Sequence, residues 1–227
     1  MLRNDFTWMG ILGSIGVILF YPVTHDFVIT VTKVHPYVMG FIKFAILATM
    51  GELLGVRIVN GYWLCPRGQI YRSCVWGLIG VISVITFSIY SVGVENAIKE
   101  GLLFGTRNGS AAFTTALWTS VTINVFFAPL LFFFHRITDT YLDLAEGNFK
   151  KLRFIKIDEV ARVADLTGFI EFILLKTIPF FWIPAHTITF LLPPEYRILF
   201  AAFLSVALGG ILAFAKRTSR VSYLQEQ

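Results

Sequence analysis

Long apolar runs alternate with short polar connections along the whole chain. A helix needs about 20 residues to cross a hydrocarbon core of about 30 Å. None of the runs alternates apolar and polar positions as a barrel strand does, so helices are the expected spanning structure. The pattern predicts an all-α, polytopic transmembrane helical bundle of about six membrane-spanning helices, with residues 1–227 as one domain. The predicted spans are residues 7–24, 36–57, 74–94, 111–134, 166–191 and 197–215.

The first run is the least regular of the six. Pro22 and the polar pair His25 and Asp26 interrupt it, and the β-branched residues 28–34 either extend it or lie along the membrane interface. No small-residue cleavage site follows this run, because the first alanine of the chain is Ala45. Since a cleavable signal peptide ends at such a site, we expect the first span to persist in the mature protein.

Composition agrees with the membrane interpretation. Hydrophobic residues make up 56% of the chain and charged residues only 15%, against about 25% charged in soluble proteins. This balance excludes an intrinsically disordered chain and a soluble enzyme. The lipid bilayer is therefore the expected partner. The net charge of +5 follows from topology, so nucleic acid is not an expected partner.

The distribution of basic residues predicts the orientation. Most of the 19 lysines and arginines lie at the two termini and in the connections after the second and fourth runs. Loops rich in these residues stay on the cytoplasmic side. We expect cytoplasmic N- and C-termini in the cell inner (cytoplasmic) membrane, or the equivalent side of an organelle membrane. The connection 136–165 has a basic and apolar middle, which suits either a segment on an anionic leaflet or a solvated connector.

Small residues recur every fourth position in two runs, which lets helix backbones approach closely in lipid. The second run adds the pair Gly51 and Gly55. We interpret these stripes as helix packing faces, and the stripe of the sixth run is alternatively a self-association face of a homo-oligomer. The stripes are Ala112, Ala116, Ser120, Asn124 and Ala128 in the fourth run, and Ala201, Ser205, Gly209 and Ala213 in the sixth.

Ionisable residues inside predicted spans are the clearest functional signal, because each costs at least a few kcal/mol unless it is paired or hydrated. Lys43 and Glu52 lie in the second span, with Arg57 at its end, and Glu171 and Lys176 lie in the fifth. Offsets of nine and five residues place the partners within each α-helix on different faces, so any pairing is between helices or through water. Two interpretations follow: a hydrated pathway between the second and fifth spans in which lysines attract anions, or interhelical salt bridges.

The fifth span carries Pro179 and Pro184, followed by three polar residues in four positions, His186, Thr187 and Thr189. Each proline removes a backbone donor and disfavours helix at the residue before it, so we expect this helix to be kinked or broken. Exposed backbone of this kind often lines transport sites. Alternatively, the prolines only bend the helix and the hydroxyls bond to carbonyls of the preceding turn.

The segment 181–197, FWIPAHTITFLLPPEYR, resembles the C-terminal signature of the Mpv/PMP family of peroxisomal and mitochondrial inner-membrane proteins. That signature reads roughly W-P-x-x-Q-x-x-N-F-x-x-V-P followed by an arginine. Here His186 replaces the glutamine, Thr189 replaces the asparagine, Pro184 is one place late and Arg197 one place early. Other positions agree in order, namely His35-Pro36, Gly51-Glu52 where the family has Gly-Asp, Phe127-Ala128-Pro129 and Leu204-Ser205. The resemblance implies a distant, bacterial relative that forms a weakly selective pore for small metabolites.

Catalytic chemistry has little support in the sequence. The four histidines are scattered without a metal-binding spacing, and no G-x-S-x-G elbow, P-loop or C-x-x-C is present. We therefore expect no enzyme activity, metal or cofactor; a hydrolase assembled from Glu52, Glu171 and His186 is the remaining alternative. The sequence favours a weakly selective channel for small solutes, including anionic metabolites. An alternating-access carrier and a non-transporting scaffold or subunit stay open.

Overall fold

The chain forms helices throughout the part that the structure describes. The structure is a computed structural model that describes residues 2–105 and 111–225, with side chains at residues 4–105 and 111–211. Within these ranges it has no strand. The α-helices are α1 (Leu2–Phe20), α2 (Pro22–Val34), α3 (Pro36–Asn60), α4 (Gln69–Lys99), α5 (Ala111–Thr122), α6 (Ala128–Leu144), α7 (Phe149–Leu152), α8 (Ile157–Val163), α9 (Leu166–Gly168), α10 (Ile183–Leu191) and α11 (Pro194–Gln225). Two π-helical segments, Ile123–Phe127 and Phe169–Trp182, join α5 to α6 and α9 to α10.

Five helical stretches are long and apolar enough to cross a membrane, and a bent pair raises the number to six. The bent pair is α1 with α2, whose axes meet at 84°. Tyr21 between them has an extended backbone, and Pro22 opens α2. Because a proline disfavours helix at the residue before it, the chain turns here. The predicted all-α transmembrane bundle is confirmed with five to six spans, and the predicted first span, residues 7–24, crosses the turn at Tyr21.

Several helices extend further than their apolar runs predict, and two of these extensions bear on the site. The third span begins at Gln69 rather than residue 74, and the fourth continues to Leu144, ten residues beyond its predicted end. Apolar runs mark the part of a helix that lipid covers, whereas backbone hydrogen bonds continue through polar residues for as long as partners are available. Arg72 and Asp139 therefore lie on helices and not in connections.

Helix α3 lies between α4 and α11 and contacts both along its length. Glycines allow the backbones to approach. A Cβ added at Gly51 would lie 2.6 Å from the carbonyl oxygen of Ser205 on α11, and Gly40 meets Gly80 of α4 in the same way. The packing interpretation of the sixth-run stripe is confirmed for Ser205 and Gly209, which face α3 of the same chain. Self-association stays a prediction.

The fourth-run stripe packs against α10. Ala116, Ser120, Asn124 and Ala128 are buried, and the Ser120 hydroxyl donates to the Ile183 carbonyl at 2.6 Å. Ala112, at the start of the stripe, is exposed.

The fifth span is one helical stretch, Leu166–Leu191, in which the hydrogen-bond pattern changes from π to α at Ile183. Pro179 lies inside the π segment and Pro184 just after it, within the continuous helix, so each removes one backbone donor. The helix continues past both prolines, so the expected break does not occur, and the hydrogen-bond pattern changes instead.

Candidate functional site

A central cavity of about 240 Å³ lies inside the bundle. Its wall is mainly apolar and aromatic. Helices α3, α4, α6 and α11, both π segments and α10 contribute to the wall. Its polar lining residues are Glu52, Ser83, Asn124, His135, His186 and Ser205. Small π-helical insertions are frequent at functional sites, and here both π segments contribute residues to one cavity.

Asn124 and His186 form a fixed polar pair on one side of this cavity. The Asn124 side chain lies in the first π segment and is fully buried. Its amide nitrogen contacts the Ser120 carbonyl at 2.8 Å and His186 Nδ1 at 3.0 Å. A carbonyl only accepts hydrogen bonds, so the amide nitrogen must face Ser120, and its second hydrogen is donated to Nδ1. A neutral His186 ring then carries its proton on Nε2.

Aromatic rings surround His186 and hold its orientation. Its ring centroid lies 5.0 Å from that of Trp182, 5.6 Å from Phe87 and 6.3 Å from Phe190. These distances are within the usual range for aromatic contacts. The imidazole is thus fixed by one hydrogen bond and three rings.

Arg72 joins three helices at one end of the central cavity, which we call the Arg72 end. Its guanidinium is only 7% exposed and lies 3.5 Å from Glu52 of α3 and 2.8 Å from Asp139 of α6. It also donates to Asp143, one turn further along α6. One cation therefore meets three carboxylates, which leaves this cluster acidic. His135, 3.4 Å from Asp139, adds a titratable ring at the same place.

Several buried polar atoms around the central cavity have no hydrogen-bond partner among the described residues. Two belong to lining residues, Asn124 Oδ1 and Trp182 Nε1. Glu52 and Trp76, which also line the cavity, interact with each other. Buried polar atoms are nearly always hydrogen-bonded to protein or water, so the unpaired acceptor of Asn124 and the unpaired donor of Trp182 need a polar partner, which suits water or a polar solute.

A second cavity, of about 520 Å³, lies beyond the central one, at the end that we call the Lys43 end. On α3 its lining ends at Lys43 and that of the central cavity begins at Phe44. On α11 the corresponding positions are Ile198 and Ala201, and Phe87 of α4 lines both cavities. The two cavities are therefore stacked along the same three helices. Phe87, only 7% exposed, lies at their junction.

A third cavity, of about 660 Å³, adjoins the second at the Lys43 end. It lies between α4, α5 and α10, and both cavities include Ser91, Glu95 and Arg197 in their lining. Arg197 and Ser91 are hydrogen-bonded at 3.3 Å. This pair marks the boundary between two parts of one wide opening.

The structure brings some of the predicted site residues to the cavities. Glu52, Asn124 and His186 line the central cavity, and Lys43 lines the second. All four therefore lie at the two cavities that are stacked along α3, α4 and α11. Their part in a solute pathway stays a prediction.

The other predicted residues lie elsewhere. Arg57 forms an ion pair with Asp5 at 2.9 Å. The hydroxyls of Thr187 and Thr189 bond to carbonyls four residues earlier, as the alternative interpretation of these residues expects.

Glu171 and Lys176 are exposed and line none of the three cavities. Neither forms an ion pair with another residue in the described ranges, so the expected salt bridges between the second and fifth spans are absent there. The cavities therefore do not pass between Glu171 or Lys176 and the second span, as the expected pathway would. Both residues lie in the π segment, in which hydrogen bonds link residues five apart, so their side chains face another direction than in an α-helix.

Sequence reasoning missed Arg72, His135 and Asp139, because they fall outside the predicted spans. A signal for them exists in the sequence. His135, Asp139 and Asp143 recur at four-residue intervals, which places them on one face if the helix continues beyond residue 134.

No protein-family model, curated protein or solved structure matches this chain. The similarity to the Mpv/PMP family therefore stays a prediction that rests on the motifs of residues 181–197 and on the shorter agreements elsewhere.

Proposed function

We propose that this membrane protein is a weakly selective channel for small solutes. The observation that carries the proposal is the stacking of the central and second cavities along α3, α4 and α11, with Phe87 at their junction. Two cavities in file along the axes of spanning helices form a natural route between the two ends of the bundle. The Mpv/PMP resemblance supports the same function, since it implies a pore for small metabolites.

The chemistry of the central cavity suits passage rather than tight binding. Its wall offers a few polar groups on a mainly apolar surface. Asn124 Oδ1 would accept a hydrogen bond from water moving through it, and Trp182 Nε1 would donate one. A wall that holds a solute weakly lets it leave again, which conduction requires.

We also propose that the Arg72 end faces the cytoplasm. The helix order places the connections after α3 and after α6 at this end, and these hold Arg67, Lys150, Lys151, Arg153 and Lys156. Loops rich in lysine and arginine stay on the cytoplasmic side. The bacterial inner membrane is the proposed location. Arg3, Arg107 and the basic residues of the C-terminus, which contribute to the same argument, lie outside the described side chains.

One observation favours an alternating-access carrier as the second candidate. Phe87 lies at one end of the central cavity, and Glu52 and His135 of the Arg72 cluster line the other. Each group is placed to act as a closure. A carrier needs two such closures that open in turn, whereas a channel needs both open together.

The test is solute flux and single-channel recording with the full chain in proteoliposomes. A channel gives stepwise currents, a carrier gives saturable flux without steps, and a scaffold gives neither. Absence of flux for neutral, cationic and anionic solutes alike would refute transport altogether. A tag on the C-terminus that is reached only from outside intact cells would refute the orientation.

A cysteine pair locates the route. Ser83 lines the central cavity and Thr86, on the same helix, lines none of the three cavities. In a background with Cys65→Ser and Cys74→Ser, a small thiol reagent should block flux through the Ser83→Cys variant and leave the Thr86→Cys variant unchanged. Equal inhibition of both variants would exclude the central cavity as the route.

A further inference from the structure

Lys43 is a buried cation with a neutral partner. Its side chain lines the second cavity and is only 6% exposed. The ammonium group donates to the Thr32 hydroxyl at 2.8 Å. No carboxylate of the described residues lies within ion-pair distance of it. An ammonium group has three donors, so this one has hydrogen-bonding capacity left.

Arg197 is a second cation in the lining of the same cavity, and it also lacks a carboxylate partner among the described residues. Its guanidinium donates to the carbonyls of Leu192 at 2.9 Å and Phe190 at 3.2 Å, and to the Ser91 hydroxyl at 3.3 Å. All three acceptors are neutral. They hold the guanidinium in place, and the carboxylates of Glu95 and Glu195 act on its charge only from beyond ion-pair distance.

Two carboxylates, Glu95 and Glu195, line the same cavity and interact with Arg197 at longer range. Glu195 is paired with Lys33 at 3.1 Å, where the lysine is largely exposed. Glu95 is exposed and forms no ion pair with a described residue. The lining therefore holds three cations and two carboxylates, and the deeply buried cation, Lys43, is hydrogen-bonded to a neutral hydroxyl.

We propose that the second cavity binds the anionic group, a carboxylate or a phosphate, of a small organic solute between Lys43 and Arg197. This assignment rests on the proposed function, because it names the class of solute that the channel admits. A buried charge without a counter-ion is costly, and an anion bound here would relieve that cost. The cavity, at about 520 Å³, has the size of sites that hold small organic ligands. The Ser88 and Ser91 hydroxyls supply further donors.

The place of this site gives it a role in selection. An anion that enters from the Lys43 end meets the two cations before it reaches Phe87 and the central cavity. The central cavity carries the Glu52 carboxylate instead of a lysine or arginine. Anions are thus concentrated at the opening and released into a region where they are held less tightly.

Direct binding tests the assignment. The full chain, purified in zwitterionic lipid nanodiscs, is titrated with inorganic phosphate and with benzoate, and the dissociation constants are measured by calorimetry. Lys43→Gln should weaken binding of at least one of the two anions by about ten- to a hundredfold, the usual effect of losing a hydrogen bond to a charged group. Lys176→Gln is the matched control and should bind as the wild type does, since Lys176 is exposed and lines no cavity.

Two further variants keep the test decisive if Lys43→Gln does not fold. Lys43→Arg retains the positive charge and should bind within about threefold of the wild type, and Arg197→Gln should weaken binding as Lys43→Gln does. Wild-type affinity in Lys43→Gln overturns the assignment, and so does wild-type affinity in Arg197→Gln if Lys43→Gln does not fold. Absence of anion binding to the wild type in every nanodisc overturns it as well.

A lipid headgroup carries the same phosphate chemistry as a free solute. Nanodiscs of phosphatidylcholine alone and nanodiscs containing phosphatidylglycerol separate the two sources. Anion binding in phosphatidylcholine nanodiscs identifies a free solute. Thermal protection of the wild type by phosphatidylglycerol that Lys43→Gln lacks identifies a headgroup. Both results support the anion site.

The binding assay is independent of flux. A protein that binds phosphate or benzoate through Lys43 but conducts nothing would refute the channel and keep the site. A protein that conducts equally well with Lys43→Gln, for anions and neutral solutes alike, and binds neither anion, would refute the site and keep the channel.

Discussion

A single methyl group at Gly51 tests the packing of α3 against α11. The Cβ of Gly51→Ala would lie 2.6 Å from the Ser205 carbonyl oxygen and 2.9 Å from Val206 Cα, where an ordinary contact begins near 3.4 Å. The atoms in its way are backbone, so the helices must separate by about 0.8 Å. Overpacking of this kind costs about 1–3 kcal/mol. The better helix propensity of alanine offsets about 0.5–1 kcal/mol, so we expect a net loss of about 1–2 kcal/mol.

The control is the same substitution where space is open. Gly93 lies in α4, and a Cβ built there meets no atom within 4 Å. Gly93→Ala should therefore raise stability by about 0.5–1 kcal/mol. Both variants are unfolded in detergent micelles by a denaturant titration followed by circular dichroism. The titration measures the change in the free energy of unfolding, which should be negative for Gly51→Ala and positive for Gly93→Ala. If Gly51→Ala is as stable as the wild type, or shifts in the same direction as Gly93→Ala, the close backbone approach is wrong.

Three further predictions concern the Arg72 end, the central cavity and the connection after α6. Arg72→Met should lower the free energy of unfolding by about 3 kcal/mol, the low end for a buried pair, because one carboxylate partner is exposed; the exposed Arg67→Met should change it by less than about 0.5 kcal/mol. Asn124→Ala, which removes a fully buried amide that is hydrogen-bonded to a carbonyl and an imidazole, should cost about 1–3 kcal/mol in the same assay. Hydrogen bonding to Lys151 holds the pKa of Glu146 below its ordinary 4.5. Lys151→Met should raise that pKa towards 4.5 in an NMR titration. In the wild type, the stabilisation from this pair is present above pH 4.5 and is lost as the pH falls through the lower pKa of folded Glu146.

Five of the six spans could be predicted from the sequence, because span length and hydropathy are fixed by the thickness of the bilayer. The remaining span depends on the bend at Tyr21, which the apolar pattern does not show. The ends of the spans could not be predicted. Arg72 follows a polar connection and precedes the apolar run of α4, so hydropathy places it outside the helix. Its helical position is stabilised by Glu52 and Asp139, which come from other helices, and such partners are not visible in a local pattern.

Only part of the candidate site could be predicted from the sequence. Lys43 and Glu52 stand out as charges in an apolar α-helix, and the structure places both at cavities. Glu171 and Lys176 stand out equally, yet both are exposed. Their facing depends on the π segment Phe169–Trp182, whose residues look like those of any apolar helix. Which side a charge faces is decided by backbone geometry that the sequence pattern does not specify.

The two closures of the central cavity differ in kind, and this difference separates the channel from the carrier. On the proposed route, Phe87 would close one end by its bulk, and the Arg72 cluster would close the other by ion pairs between helices. Barriers in series are limited by the larger one, so removing the smaller alone changes flux little.

We therefore expect the double variant Phe87→Ala, Arg72→Met to conduct more than either single variant, as stepwise currents in a planar bilayer. For a channel, the unitary current of the double variant exceeds a wild-type current that is already present. For a carrier, stepwise currents arise only in the double variant, because both closures are then open together and alternation is lost. A double variant whose flux equals that of the better single variant, with the folded protein confirmed by its circular dichroism, would show that these two groups do not close the route.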